Sequence, residues 1–114
     1  MPYVETYLGA ITADAEDVTI QFSDQELTLG FRDYVKQVCK LVFSETLAFR
    51  WQEFDESDPA IDSDKTYEVT ESEWLQRQAN LQGENADHYK HFKLCFNACG
   101  TLDILAKSVG SSKS

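Results

Sequence analysis

A chain of 114 residues with 42% hydrophobic and 12% aromatic residues is long enough to bury one core and too apolar to be a disordered tail. Twenty acids against ten bases leave a net charge of −10 at pH 7, a surface that repels nucleic acid and anionic lipid and draws in cations. Direct nucleic-acid and membrane binding are thereby disfavoured, and the partner this charge suits is a basic protein.

No apolar run approaches the roughly eighteen residues of a membrane span, and no basic start leads into an apolar stretch. Neither a transmembrane helix nor a secretory signal is expected, and the expected location is the cytoplasm. Three cysteines, an odd number in a domain that needs no staple, agree with free thiols in a reducing compartment.

In chain order, YVETYLGAI from Tyr3 puts apolar residues on both parities, which fits a strand or a short helix. Val18, Ile20 and Phe22 alternate with polar residues, as do Leu27, Leu29 and Phe31 after the turn at residues 23–26. That turn pairs position 22 with 27, 20 with 29 and 18 with 31. From Val35 to Phe54 two further alternating runs flank Ser44-Glu45-Thr46. They predict a hairpin with Phe43 opposite Leu47, Leu41 opposite Phe49 and Cys39 opposite Trp51. Lys36 and Lys40 share the other face with Val38 and Val42, a pattern of a partly covered or edge strand.

Between Glu53 and Glu73 lie nine of the twenty acids (Glu53, Asp55, Glu56, Asp58, Asp62, Asp64, Glu68, Glu71 and Glu73) against one base, Lys65. With Asp58-Pro59 and two serines, the first part of this segment reads as a long solvated loop. Thr70-Glu71-Ser72-Glu73 has the form of a capping box. It predicts a helix from Thr70 to Gln82, with Trp74, Leu75, Ala79 and Leu81 on its apolar side and Gly83 as its stop. In HYKHFKLCFNACGTLDILAK, from His88, the alternation of Phe92, Leu94 and Phe96 and of Leu102, Ile104 and Ala106 predicts a hairpin with 96 facing 102. The rival is a helix from Asp87 to Cys99 stopped by Gly100. Residues 108–114 read as a flexible tail behind a single domain of residues 1–107.

His88, His91, Cys95 and Cys99 would line one side of a helix and could then approach a zinc ion. On a strand they diverge, and no Cys-x-x-Cys knuckle is present, so no metal or cofactor is expected. The acid run lacks both the order and the glycine of a calcium loop. A hydrolase would have to be built from Cys95 or Cys99 with His88 or His91 and Asp87, yet no nucleophile elbow or catalytic signature surrounds them, and the chain is read as a non-enzyme. Trp51 belongs to the core, whereas Trp74 and Tyr67 are candidate apolar anchors beside the acids.

LVFSETLAFRW, the acidic stretch behind it, the helix with Trp74, and HFKLCFNACGTLDILA together resemble small bacterial domains, some of which are the immunity halves of toxin–immunity pairs. The resemblance spans Val35 to Ala106 and lies in strand texture. It implies a cytoplasmic inhibitor that masks a toxin, often a basic nuclease, with an acidic face, and it transfers no individual functional residue.

The expected architecture is α+β: six or seven strands in antiparallel hairpins with one helix packed on the sheet. The expected function is non-enzymatic binding of a basic protein at Asp55, Glu56, Asp58, Asp62, Asp64, Tyr67, Glu68, Glu71, Glu73 and Trp74. The alternatives are a metal or hydrolytic protein built on His88, His91, Cys95 and Cys99, and a homo-oligomer joined through a face bearing Val38, Val42 and Leu105.

Overall fold

The computed structural model describes residues 3–9, 12, 15–52, 65–96 and 100–113. Within them the strands are β1 (Tyr3–Glu5), β2 (Glu16–Ser23), β3 (Glu26–Arg32), β4 (Val38–Ser44), β5 (Ala48–Gln52), β6 (Thr66–Val69), β7 (Lys90–Phe96), β8 (Gly100–Ala106) and β9 (Ser108–Lys113). One helix, α1 (Glu73–Gln82), and a single 3-10 turn at Ala86–His88 complete the described elements. The strands form two antiparallel sheets, ordered β1-β6-β7-β8-β5 and β2-β3-β4-β9. The α+β expectation stands, with more strands than expected.

The two sheets face each other across one core. Leu27, Leu29, Phe31, Cys39, Leu41 and Phe43 of the four-stranded sheet meet Phe92, Leu94, Phe96, Leu102, Ile104 and Ala106 of the five-stranded one. Alternation within each strand supplies these faces. Aromatic contacts tie the layers together: the ring centroids of Phe43 and Phe92 lie 5.6 Å apart, and those of Phe31 and Phe96 5.5 Å apart, the latter pair edge-on.

The predicted hairpin of residues 35–54 does not form. β4 pairs with β3 and β9, whereas β5 pairs with β8 in the other sheet. The chain changes sheets at 45–47, where the Thr46 amide donates to the carbonyl of Gln25 and the Leu47 amide to that of Leu105. A period of two fixes which face a side chain takes and leaves the partner strand open. Phe43 and Trp51 therefore do reach one core, but from opposite layers, Trp51 against Phe96.

The β2–β3 hairpin keeps the predicted pairs Phe22 with Leu27 and Ile20 with Leu29. Its two-residue turn, Asp24-Gln25, holds both residues at positive φ (52° and 64°), the twist such hairpins prefer. The expected pairing of 18 with 31 is lost to a register shift between Glu16 and Thr19, where Asp17 sits at φ 55°. The β7–β8 hairpin is shifted by two: Leu94 faces Leu102, and Phe96 faces Gly100 because Gly100 and Thr101 join the strand. A shift of two preserves every face. In place of the expected tail, 108–113 pair along β4 from Ser44 to Cys39. β4 is thus an interior strand. The homo-oligomer face dissolves as well, since Val38 and Val42 belong to one sheet, and Leu105 is fully buried on the outward side of the other.

Candidate functional site

Strand alternation sends the odd residues of β7 and β8 away from the core, and most of them are polar. Tyr67, Lys93, Asp103 and Arg50 stand in one cross-strand row; Val69, His91, Leu105 and Ala48 form the next. A row with a lysine and an aspartate opposite one another is costly to bury unless its charges are met. Both are nevertheless buried, Asp103 completely.

Asp103 meets its partners on both oxygens. His91 Nε2 lies 2.7 Å from Oδ1, while Lys93 Nζ and Arg50 Nε each approach Oδ2 at 3.4 Å. Burial pushes the Asp103 carboxyl up, but the hydrogen bond from His91 and the charges of Lys93 and Arg50 outweigh it, and its pKa ends below the ordinary value. On the other side of the imidazole, Nδ1 lies 2.7 Å from Ser72 Oγ. In the neutral imidazole whose Nε2–H donates to the carboxylate, Nδ1 is an acceptor, and the Ser72 hydroxyl donates to it. Ser72, His91 and Asp103 are therefore strung in one hydrogen-bonded line.

Helix α1 brings Ser72 to this position. Ser72 is its N-cap, and its Oγ accepts the Leu75 amide at 3.1 Å. The predicted capping box places the cap two residues too early. Glu71 adopts positive φ, 57°, which a helix interior forbids, so the helix starts at Glu73. Gly83 ends it as expected, at φ 69°, its amide bonded back to Ala79 and Asn80. Leu75 and Ala79 are buried, but Leu81, assigned to the apolar side, is exposed. The helix lies on the outward face of the five-stranded sheet. Trp74 meets His91 edge-on with centroids 5.2 Å apart, the Arg50 guanidinium stacks 4.2 Å over the Trp74 ring, and Gln82 Nε2 donates to the carbonyl of Leu47.

Beside this line opens a cleft of about 330 Å³, between the end of β6, the start of α1 and the 3-10 turn. Ser72 and His91 stand on its wall with Glu68, Glu71, Asp87 and Lys90. Lys90 Nζ lies 3.9 Å from Glu68 Oε1. Of the ten sequence-derived site residues, Glu68 and Glu71 reach the cleft. Glu73 is exposed on the first turn of α1, and Trp74 is half-buried over His91 and Arg50. Tyr67 is buried and edge-on to Tyr3, so its ring is no surface anchor. Asp55, Glu56, Asp58, Asp62 and Asp64 lie outside the described residues.

The histidine–cysteine cluster is not assembled. His88 is exposed in the 3-10 turn, His91 is engaged by Ser72 and Asp103, and Cys95 lies four residues along β7, about 13 Å at strand rise. Cys99 lies outside the described residues. Among the described residues no group of three or more His, Cys, Asp or Glu side chains is placed to hold a metal. Sequence reasoning reaches His91 but not Ser72 and Asp103 as its companions, which stand 19 and 12 residues away. The one available signal was Asp103 itself, a lone charge inside TLDILA. Among the described residues no helix is long and apolar enough to cross a membrane. Compared with known proteins, the chain matches no family model, no curated protein and no solved structure.

Proposed function

We propose that the chain is an acidic binding protein that docks a basic protein partner at the cleft beside α1. The observation that supports this is the composition of the cleft wall. Glu68, Glu71 and Asp87 converge there, and Lys90 is the one lysine or arginine among its described lining residues. A space of about 330 Å³ accommodates a lysine or arginine side chain, and the carboxylates would raise its local concentration and its rate of arrival. Glu73, exposed on the adjoining turn, extends the negative rim. Together with the net charge of −10, this favours a cation-rich partner over any anionic ligand. In the more specific form implied by the resemblance to immunity-type domains, the partner is a toxin held inactive by the complex.

The experiment is stopped-flow association with a lysine- and arginine-rich peptide at low and high salt. Reversing Glu68, Glu71, Glu73 and Asp87 to lysine should slow association severalfold at low salt and flatten its salt dependence, with the circular dichroism unchanged. An association rate untouched by the fourfold reversal rejects the reading.

A further inference from the structure

The buried line beside the cleft has a chemistry that docking does not use. A nucleophilic serine needs a base within hydrogen-bond reach, a group that orients the base, donors for the developing oxyanion, and a route for substrate. Ser72 Oγ and His91 Nδ1 are 2.7 Å apart, and His91 Nε2 and Asp103 Oδ1 are also 2.7 Å apart. Lys93 and Arg50 hold the second carboxylate oxygen, which fixes Asp103 and, through it, the imidazole. By the geometry of any helix start, the amides of Glu73 and Trp74 have no acceptor within α1, and they lie beside Ser72. The cleft reaches both Ser72 and His91.

We propose that Ser72 is a nucleophile for acyl transfer, with His91 as its general base and Asp103 as the residue that positions His91. The substrate class is an acyl ester bearing a cationic group, because Glu68, Glu71 and Asp87 line the approach. Ser72 Oγ adds to the ester carbonyl as its proton passes to His91 Nδ1. The carbonyl–alkoxy bond then breaks, and the leaving alkoxide takes that proton from Nδ1. Water, deprotonated by the same nitrogen, attacks the acyl-serine, and the carboxylic acid departs as Ser72 Oγ regains its proton. Both ring nitrogens are already committed as this sequence needs, Nε2–H to Asp103 and Nδ1 toward Ser72. The cationic preference rests on the same cleft carboxylates as the docking reading, whereas the nucleophile, base and positioning residue do not, so a neutral probe makes the two readings fail separately.

The test uses a neutral alkyl fluorophosphonate, which reacts with activated serines whatever the substrate charge. The intact protein should gain one phosphonyl group, and peptide mapping should locate it on Ser72. Ser72→Asn keeps a capping acceptor for the Leu75 amide and should take up none. His91→Gln should label at least about 100-fold more slowly, the range a positioned general base contributes. Folded wild-type protein that takes up no phosphonyl group overturns the proposal, as does label mapping to another residue or appearing equally on Ser72→Asn.

Discussion

At Asp103, burial and charge pull in opposite directions, and the outcome can be read by titration. Its carboxyl is depressed below its ordinary value, so the stability it contributes is fully present above the unfolded pKa of about 3.9 and is lost as pH falls through the folded value. An acid limb in the unfolding free energy is expected below about pH 4. Asp103→Asn keeps the shape and an acceptor for His91 but removes the negative charge that the buried Lys93 and the half-exposed Arg50 both face. Breaking a buried pair from one side typically costs about 3–5 kcal/mol. Urea denaturation at pH 7 should show a loss approaching that size, and the gap from wild type should narrow as pH falls below about 4, where the unfolded carboxyl takes up a proton that the native one resists. A gap that stays constant across this range would mean that the charge of Asp103 does not hold the row together. Much at this scale was legible in one residue and illegible in the rest. A charge between Leu102 and Ile104 demands partners, yet Ser72, His91 with Lys93, and Arg50 come from three separate stretches, and no local spacing could have named them.

At the scale of elements, each strand's alternation was legible and the partner of each strand was not, except where a short turn joins neighbours. Asp24-Gln25 leaves β2 and β3 no alternative to pairing with each other. The three-residue link at 45–47 instead carries the chain to the other layer, because its amides bond to Gln25 and Leu105 rather than across a hairpin. Helix α1 shows the same division. Its stop at Gly83 follows from a backbone geometry that glycine enters without penalty, whereas its start was misplaced because Ser72 was chosen as cap by His91 as well as by the helix. Two glycine substitutions separate backbone strain from crowding. A Cβ at Gly83 would meet nothing within 4 Å, so Gly83→Ala should cost only the left-handed penalty, about 1–2 kcal/mol. A Cβ at Gly9, at φ 101°, would fall 2.1 Å from Ser111 Oγ and 2.4 Å from its Cβ. Gly9→Ala should therefore be the more damaging, with hydrogen exchange rising first along β9; equal losses for the two variants would contradict the close approach of residue 9 to that strand.

For the whole molecule, the two sheets account for the fold, and the charge acts on that fold from outside. The Cα radius of gyration, 13.5 Å, is close to the roughly 13 Å expected of a folded chain this long, so a net charge of −10 is carried on a small body. Self-repulsion at that density opposes compaction, and added salt relieves it, because exposed charges beyond about 10 Å are screened at 0.1 M ionic strength. The buried row around Asp103 is screened far less. Melting temperature at pH 7 should consequently rise by a few degrees as sodium chloride is raised from low to moderate concentration, and Asp103→Asn should show the same rise from a lower starting point. Replacing Glu68, Glu71, Glu73 and Asp87 by lysine should flatten the dependence, since four reversals bring the net charge from −10 to about −2. A melting temperature that falls with salt in the wild type would mean that attractive surface pairs such as Lys36 with Glu16 and Arg32 with Asp17 outweigh the repulsion. The excess of carboxylates would then lack the outward field that capture of a basic partner requires.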